Sequence, residues 1–469
     1  MANEIIAQNE MKPAIKLNDQ QEAAITALVQ FIDENLAETF TIKGYAGTGK
    51  STSIQVLLER MKESGLDKKV IFTAPTHKAV KVLRRMACEK GIDDVGFSTI
   101  HSLLGLKIKQ VGDKQTLEPM KQARKNDPLR DVQIVVVDEC SMIGGDLFTH
   151  IMNSLKFYDL QYIFMGDPAQ LPPVGEKESP TFEATENRVS LTKVMRQRGE
   201  NPVLGVCTDI REAFSRGDVR LPKIVPGMAE DGSVGVSVMS GSLFADWMPT
   251  AFNHDNFDGF PDRFRVIAWR NDTVERINNM IHKIRYPHCV EWLAEGEPIA
   301  FTKPMQNSSL LNPVEGVKND EIIVQTDFEG EVVACVESTH PSFATIPAWL
   351  VTAKIETGEL RTFYALDSIG SQIREATMKQ IANQNRGFER AGQKQLVNWW
   401  PYYELQQAFA SIRPAYCVTA HKSQGSTFEN VFVDVLDIWA NPNKSEALQC
   451  LYVACSRASH HLIVNATGG

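Results

Sequence analysis

The stretch KGYAGTGKSTSI, residues 43–54, has the residue types and spacing of a loop that holds phosphate groups. It matches the pattern G-x-x-x-x-G-K-[ST], with Gly44, Gly49, Lys50 and Ser51 in register. Glycines let backbone N–H groups close around phosphate oxygens, the lysine can reach the β- and γ-phosphates, and the serine hydroxyl can bind Mg²⁺. We therefore predict a nucleotide site rather than a plain glycine turn. The other loop residues assigned to this site are Ala46, Gly47, Thr48 and Thr52.

Two acidic residues, Asp138 and Glu139, follow the apolar segment at residues 132–137, which has the composition of a buried strand. In the same sheet as a phosphate loop, Asp138 would hold Mg²⁺ through water and Glu139 would be the general base for the attacking water. Gln170, in GDPAQLPPVGE, comes just after the next predicted strand. Its amide can hydrogen-bond a γ-phosphate or the attacking water without competing as a base.

Two arginines suit contact with a γ-phosphate: Arg196 in LTKVMRQR and Arg457 in YVACSRA. Phosphoryl transfer needs positive charge on the transferring group, and an arginine from a second domain couples domain closure to hydrolysis. Either arginine alone would be interpreted as part of a structural ion pair. Their positions in an ordered series of motifs favour the catalytic interpretation.

Predicted strands and helices alternate around these residues. Strands are predicted at 40–44, 70–73 and 132–137, a fourth strand ends at Gly166, and the helix after the phosphate loop covers 51–64. Polar residues at the carboxyl ends of the strands indicate an α/β fold with a doubly wound parallel sheet, which binds ligands at that edge.

A second region of the same kind begins at 263–281 and resumes at 415–435. Between its two parts, residues 321–367 form four short alternating runs separated by turn residues, which predicts a small antiparallel barrel or sheet. A polar stretch, predicted to be helical, follows to about Ala410. Its aromatic residues, in NWWPYYELQQAF, either stack on bases or brace an arm.

Composition limits the classes of protein that the chain can be. Its 469 residues suffice for two or more folding units, and its apolar runs are far shorter than the roughly 20 residues of a membrane span. No signal peptide is visible, and the eight cysteines include no C-x-x-C pair, so we expect a cytoplasmic protein with reduced thiols and no membrane partner. The net charge of −9 argues weakly against nucleic acid, but residues 107–130 contain seven Lys or Arg and only three acids.

The chain carries an ordered series of short motifs from about residue 17 to 460. The series is LNDQQ, GYAGTGKST, APTHKAV, STIHSLLG, VVDECSM, GDPAQLPPVGE, LTKVMRQ, VTAHKSQGSTFENV and LYVACSRA. It resembles the superfamily 1 helicases of the RecD-like class, or superfamily 1B, and most of all a phage member. The resemblance implies an ATP-dependent DNA helicase that uses Mg²⁺, moves 5′ to 3′ on single-stranded DNA and binds ATP between two RecA-like domains.

The resemblance also assigns residues by position. Gln21 falls where the family reads the adenine base, and Gly425 is placed with the nucleotide-binding residues. The motifs that contact single-stranded DNA contain Pro75, Thr76, His77, Thr99, His101, Thr419, His421 and Ser426. There, hydroxyls and backbone N–H groups would meet phosphates, and a flat side chain such as His77 would stack on bases.

Domain boundaries follow from the same resemblance. They are 1–98 and 132–196 for RecA-like domain 1A, 99–131 for a hairpin insertion (1B), 197–285 and 412–469 for RecA-like domain 2A, and 286–411 for an SH3-like β-barrel insertion (2B) with a helical arm. The hairpin would part the duplex, so its basic segment is interpreted as a DNA contact. It offers Leu117 or Met120 in place of an aromatic residue, and Cys140 and Ser456 are mild departures from the family's motifs.

The implied partners are single-stranded DNA and duplex junctions, with a phage single-strand-binding protein or replisome components as further candidates. The chain is expected to act as a monomer. If it is phage-encoded, its expected location is the host cytoplasm. Two alternatives share the nucleotide motifs. One is a translocase that displaces proteins from single strands with little unwinding. The other is a nucleotide-gated switch protein, whose ATPase would be slow and indifferent to DNA.

Overall fold

The structure, a computed structural model, describes residues 17–35, 37–89, 91–92, 95–111, 114–119, 127–183, 185, 187–193, 201–253, 262–319, 321–326 and 328–465. Within these ranges the side chains of Ser51 and of residues 107–116 are not described. Among the described residues, none of the helices is both long and apolar enough to cross a lipid bilayer.

The strands are β1 Thr39–Gly44, β2 Val70–Ala74, β3 Gly96–Thr99, β4 Leu106–Val111, β5 Lys114–Pro119, β6 Ile134–Val137, β7 Gln161–Gly166, β8 Asn187–Leu191, β9 Gly227–Met228, β10 Gly235–Met239, β11 Phe264–Ala268, β12 Pro298–Phe301, β13 Met305–Gln306, β14 Ile322–Val324, β15 Glu329–Thr339, β16 Pro347–Ile355, β17 Leu360–Ala365, β18 Ile412–Pro414, β19 Cys417–Thr419, β20 Phe428–Val433 and β21 Ala458–Asn465.

The α-helices are α1 Asp19–Glu34, α2 Lys50–Glu63, α3 His77–Glu89, α4 Ile100–Leu103, α5 Gly145–Ser154, α6 Pro202–Arg216, α7 Gly241–Phe252, α8 Asn271–Arg285, α9 Ser368–Arg390, α10 Trp400–Gln407, α11 Val435–Trp439 and α12 Lys444–Cys455.

The first sheet has six parallel strands in the order β3-β2-β6-β7-β1-β8. Its central strands β6 and β7 are buried along their whole length, because helices cover both faces. The four strands predicted for this region and the helix after the phosphate loop are all present, within two residues of their expected bounds. The carboxyl ends of these strands therefore bring the predicted nucleotide residues to one edge of the sheet.

The second sheet also has six strands, in the order β19-β11-β20-β21-β10-β9, and only the β9–β10 pair is antiparallel. Helices α6 and α12 pack on one face and α7 and α8 on the other. The chain therefore has the predicted α/β architecture with two doubly wound sheets. The apolar cluster on the α6 and α12 face also contains Ala169 and Leu171, which follow β7 of the first sheet.

The predicted antiparallel insertion is a five-stranded sheet in the order β17-β16-β15-β12-β18. Three of its strands lie in the predicted segment 321–367, whereas β14 pairs separately with β13. The strand β18 belongs to this sheet, which therefore extends past the predicted boundary at residue 411. The predicted hairpin is present as the antiparallel pair β4–β5, and the predicted helical stretch is present as α9 and α10.

Candidate nucleotide and DNA site

The phosphate loop connects β1 to α2, and its glycines are required by the backbone. Gly47 and Gly49 have φ angles of 76° and 80°, in the left-handed region that favours glycine. A Cβ atom on Gly44 would lie 2.8 Å from both Cγ of Lys50 and Oγ1 of Thr48. No side chain fits these three positions without a shift, so the loop keeps the concave backbone that phosphate oxygens require.

The cation of this loop lies over its backbone. Nζ of Lys50 donates to the carbonyl oxygens of Gly44, at 2.5 Å, and Tyr45, at 3.2 Å. Bound phosphate would offer this ammonium a charged acceptor in place of two neutral carbonyls, and charge-assisted hydrogen bonds are about twice as strong as neutral ones. The side chain is therefore held beside the place where its predicted role requires it.

The side-chain amide of Gln21 stabilises the phosphate loop through a hydrogen bond to its backbone. Its Nε2 atom donates to the carbonyl of Thr48 at 3.1 Å, and its Oε1 atom accepts from the backbone N–H of Asn18 at 3.0 Å in a capping box at the start of α1. Only 1% of Gln21 is exposed. The contacts give this residue a loop-supporting role, and its reading of the adenine base remains a prediction.

The neighbouring Gln20 ties α1 to the chain that follows β8. Its Oε1 atom accepts from the backbone N–H groups of Thr192 and Lys193 at 3.0 Å and 2.9 Å. Arg196, the arginine predicted to reach the γ-phosphate from this segment, lies outside the described residues. Gln20 was missed by the sequence analysis, although it lies in the same LNDQQ motif as Gln21.

The acidic pair lies at the end of β6, as predicted. The backbone N–H of Asp138 donates to the carbonyl of Thr73 at 2.8 Å, which fixes the strand end against β2. Burial and the neighbouring charge of Glu139 raise the pKa of Asp138, while the backbone N–H of Glu139 and the ammonium of Lys50 oppose this shift. Bound Mg²⁺ would favour the ionised carboxylate, so these residues fit the ion.

Glu139 itself has a φ angle of 51°, which is uncommon for any residue other than glycine. Such a conformation costs about 1–3 kcal/mol and persists where the surrounding structure imposes it. Glu139 stands at the start of the short 3-10 helix Cys140–Met142. The side chain of Ser51, the other predicted Mg²⁺ ligand, is not described.

Gln170 is 6% exposed, and its Oε1 atom is buried without a hydrogen-bond partner in the described part of the chain. A buried acceptor without a partner costs about 1–3 kcal/mol. A water molecule or a protonated phosphate oxygen at the nucleotide site would supply the missing donor. Gln170 also joins the two domains, because its backbone carbonyl oxygen accepts a hydrogen bond from Nε2 of Gln449, on α12, at 3.2 Å.

A tyrosine of the second domain reaches the phosphate loop. The hydroxyl of Tyr452, on α12, donates to Oδ2 of Asp167 at 2.5 Å and accepts from the backbone N–H of Ala46 at 3.0 Å. Asp167 follows β7 and is completely buried. Burial raises the pKa of Asp167, and Lys50 and the Tyr452 hydroxyl oppose that shift. This chain of hydrogen bonds links the loop directly to the other domain.

We expect Tyr452→Phe to lower the free energy of unfolding by about 1–3 kcal/mol, because Asp167 loses a donor and the Ala46 N–H loses an acceptor. Thermal unfolding followed by circular dichroism measures the loss. Tyr402→Phe is the matched control, since that tyrosine lies on α10, away from this chain of hydrogen bonds. Equal melting curves for the wild-type protein and Tyr452→Phe would contradict the expected role of the hydroxyl.

Arg457 connects the predicted nucleotide chemistry to a predicted DNA motif. It is 6% exposed, and its guanidinium donates to the carbonyls of Val453 and Ser426, both at 3.1 Å, and to the hydroxyl of Ser456 at 2.9 Å. Ser426 is one of the residues assigned to DNA. Movement of this guanidinium would therefore break or alter its hydrogen bond to Ser426.

The DNA-assigned residues of the first domain gather at the ends of β2 and β3. The last residues of these strands, Ala74 and Thr99, are paired, which brings Pro75 beside the start of α4. His101 hydrogen-bonds to the backbone of Pro75, and burial lowers the pKa of His101 to about 4. The pKa of His77 is lowered for the same reason. Both rings are therefore neutral near pH 7, which suits stacking better than ion pairing with phosphate.

The DNA-assigned residues of the second domain lie at the end of β19 and in the segment between β19 and β20. The hydroxyl of Ser426 is buried without a hydrogen-bond partner among the described residues. Gly425, assigned to the nucleotide, is placed instead against the first domain's DNA motif. A Cβ atom built on it would lie 3.3 Å from Oγ1 of Thr76 and 3.2 Å from Cβ of Ala79. The two sets of DNA-assigned residues thus meet across the domain interface.

Two further members of this set make local contacts. The hydroxyl of Thr419 accepts from the backbone N–H of Lys422 at 3.3 Å. His421 lies 3.8 Å from a carboxylate oxygen of Glu446, and burial lowers the pKa of His421. Their contacts with DNA remain predictions.

Three parts of the chain meet at Glu329, at the start of β15. Its carboxylate pairs with Lys78 of α3 at 2.6 Å and with Arg265 of β11 at 3.2 Å. Burial alone would raise the pKa of Glu329, but the two cations outweigh it and lower the pKa to about 2. Beside this cluster, the ring of His77 packs edge-on against Phe328, with centroids 4.9 Å apart. The insertion therefore touches both domains next to the DNA-assigned residues.

Sequence reasoning missed Asp167, Tyr452 and Glu329. A signal existed for Asp167, because it follows β7 as Asp138 follows β6. Tyr452 lies five residues before Arg457, on the helix that leads to it. Glu329 gave no signal, because its partners are 64 and 251 residues away along the chain.

Comparisons with known proteins agree with this architecture. Residues 16–229 match the family described as the AAA domain, and residues 414–465 match the UvrD-like helicase C-terminal domain. The chain is similar to the ATP-dependent DNA helicase dda of Enterobacteria phage T4, with 24% identity over 95% of this chain and 98% of that protein. It is also similar to an uncharacterised protein of Acanthamoeba polyphaga mimivirus, with 25% identity over 95% of this chain and 99% of that protein.

Among solved structures, the chain is similar to Pif1 helicase in a study of unwinding at forked double-stranded DNA by two coordinating copies. The TM-score is 0.50, the identity is 19%, and the match covers 97% of this chain and 93% of that one. This likeness supports the fold over essentially the whole chain.

Proposed function

Because the chain belongs to the Pif1/Dda-like superfamily 1B helicases, we propose that it is an ATP-dependent DNA helicase that moves 5′ to 3′ on single-stranded DNA and opens duplex ahead of it. The observation that carries the proposal is a pair of contacts made by α12 and by the turn that follows it. Tyr452 binds the phosphate loop and Asp167, and Arg457 binds the carbonyl of Ser426. Nucleotide and DNA sites are thereby connected through one helix.

Each of these residues has a distinct role in the proposed hydrolysis. The loop N–H groups and Lys50 hold the phosphates, Glu139 removes a proton from the attacking water, and the buried Oε1 atom of Gln170 accepts a hydrogen bond from that water. Arg457 approaches the γ-phosphate when the domains close. Its release from the Ser426 carbonyl then frees that motif to change its grip on DNA, so each hydrolysis cycle alternates the hold of the two domains.

Mg²⁺ belongs to this proposal through Asp138 and Ser51. Bound there, the ion would neutralise charge on the β- and γ-phosphates and orient them. The residues themselves contribute a half-buried carboxylate with a raised pKa, which a cation would stabilise in its charged form.

We also propose that a single chain suffices for activity. Both halves of the nucleotide site, with Lys50 on one domain and Arg457 on the other, come from the same chain. The Tyr452 contact already joins them without a second copy. The similarity to a phage helicase and to a protein of a giant virus favours a role in viral DNA replication or recombination.

The expected result that tests the proposal is a strong stimulation of ATP hydrolysis by single-stranded DNA, lost in Lys50→Ala. Lys50 would place a full positive charge on the phosphates. A coupled ATPase assay with and without oligothymidylate measures the stimulation. Lys177→Ala, at an exposed position, is the control. A slow ATPase that ignores DNA would favour the switch-protein alternative.

A further inference from the structure

A cavity of about 360 Å³ lies between the insertion and the helices α9 and α10. We call it the arm pocket. Its walls include Lys303 just before β13, Gln306 on β13, Ile322 on β14, Arg374 on α9 and Tyr403 on α10. None of its described lining residues belongs to the nucleotide site or to the DNA motifs discussed above. The arm pocket is thus separate from the site already described.

The arm pocket is positively charged in a chain whose net charge is −9. Lys303 and Arg374 are its charged lining residues, and no carboxylate is among the lining residues that the structure describes. Within the described part of the chain, Arg374 forms no ion pair, and its buried Nε atom has no hydrogen-bond partner. Burial lowers the pKa of Arg374. A guanidinium held in this way keeps its planar set of donors available for an anion.

The remaining walls suit a heteroaromatic base. Tyr403 is 48% exposed, and its ring is fixed edge-on against Tyr402 with centroids 5.6 Å apart. Three amides, those of Gln306, Gln406 and Gln407, line the same cavity and offer both donors and acceptors. An exposed aromatic ring beside amides and cations is a common arrangement for single-stranded nucleic acid.

The arm pocket also lies beside the hairpin. Ile322, in its wall, belongs to β14, and β14 packs against β4 of the hairpin. In the proposed function the hairpin parts the duplex, so single strands are produced next to this wall. A nucleotide that has just lost its pairing partner has an unstacked base and a phosphate within reach of the arm pocket.

We propose that the arm pocket binds one nucleotide of single-stranded DNA beside the hairpin, with the phosphate at Lys303 and Arg374 and the base on Tyr403. This inference rests on the proposed helicase function and adds a contact that the helicase motifs do not include. An acidic peptide of a partner protein would satisfy the cations. The aromatic ring, the three amides and the position next to β4 favour a nucleotide.

The test is equilibrium binding of fluorescein-labelled oligothymidylates of increasing length, measured by anisotropy at several salt concentrations. For oligomers long enough to reach past the hairpin, we expect Tyr403→Ala to weaken binding about tenfold. Arg374→Gln is expected to reduce the slope of log K against log salt by about 0.7, the value for one lost phosphate contact to a single strand. Arg386→Gln, an exposed arginine on the same helix α9, is the matched control and is expected to leave both quantities unchanged.

The shortest oligomers that bind supply an internal control, because they fill the motor domains alone and are expected to bind all variants equally. Thermal unfolding curves show that each variant folds. Equal affinity and equal salt slope for wild type and both variants at every length would overturn the proposal. The proposal would also be overturned if the variants lost affinity for a fluorescein-labelled acidic peptide but bound DNA as tightly as the wild-type protein. Failure of the wild-type protein to bind any oligomer would instead overturn the helicase function on which the proposal rests.

Discussion

Glu139→Gln is expected to lower the rate of DNA-stimulated ATP hydrolysis by about 10²- to 10⁴-fold, the range that general base catalysis supplies. Glutamine keeps the size of the side chain and removes the group that accepts the proton. The backbone at this position is left-handed, with φ of 51°, and glutamine can adopt it as glutamate does, so no shift of the fold is needed to explain the loss. Steady-state ATPase kinetics at saturating single-stranded DNA measure the effect.

The affinity for nucleotide distinguishes a loss of general base catalysis from a loss of ATP binding. Since the phosphate loop is untouched, Glu139→Gln is expected to bind a fluorescent ATP analogue as tightly as the wild-type protein. Glu183→Gln, an exposed carboxylate in the same domain, serves as the control for charge removal. A Glu139→Gln protein that keeps a large part of its ATPase rate would place the general base elsewhere.

Arg457→Ala is expected to lower the same rate by about 10³-fold or more, because an arginine on the transferring phosphate contributes about 10³ to 10⁵ in related reactions. Arg457→Lys keeps the charge but loses the planar set of donors, so we expect it to recover only part of the activity. Both variants also remove the Nη1–H group that donates to the carbonyl of Ser426. We therefore expect single-stranded DNA affinity to respond less to ATP analogues in these variants than in the wild-type protein.

The response of DNA affinity to ATP analogues distinguishes a coupling role of Arg457 from a structural one. A purely structural role of the buried guanidinium would lower stability without changing the ratio of DNA affinities with and without nucleotide. Thermal unfolding and anisotropy titrations distinguish the two cases. Arg216→Ala, at a mainly exposed position at the end of α6, is the control. An unchanged affinity ratio in both Arg457 variants would contradict the proposed coupling through Ser426.

Much of the candidate site was predictable because it lies where parallel strands end. Lys50, Asp138 and Gln170 each follow a strand of the first sheet, and the carboxyl ends of parallel strands meet at one edge. Local patterns therefore sufficed, since an apolar run predicts the strand and the polar residues after it mark the edge. The α/β fold followed from the same alternation of strands and helices.

Contacts between distant segments were not predictable in this way. Tyr452 contacts Ala46 across 406 residues of chain, and Lys78 contacts Glu329 across 251. A tyrosine on an apolar helix and a glutamate at the start of a strand are ordinary in sequence, and only packing reveals their partners. The prediction of the insertion sheet was incomplete for a related reason, because the strands β12 and β18 have only four and three residues, too few for a recognisable pattern.

The arm pocket illustrates the same limit. The aromatic residues near Trp400 were open to two interpretations in the sequence, stacking on bases or bracing the arm. In the structure Trp400 is 71% exposed, while Tyr403 lines a cavity together with residues about 30 and 100 positions earlier in the chain. Neither arrangement follows from the local pattern.

ATP- and Mg²⁺-dependent unwinding of short duplexes that carry a single-stranded tail at either the 5′ or the 3′ end tests the helicase function and its direction in one experiment. Lys50→Ala is the control, because it keeps the fold of the DNA-contacting motifs and removes the cation of the phosphate loop. We expect the wild-type protein to open the 5′-tailed duplex alone and Lys50→Ala to open neither. Opening of the 3′-tailed duplex would contradict the direction of movement, and failure to open either duplex would contradict the helicase function itself.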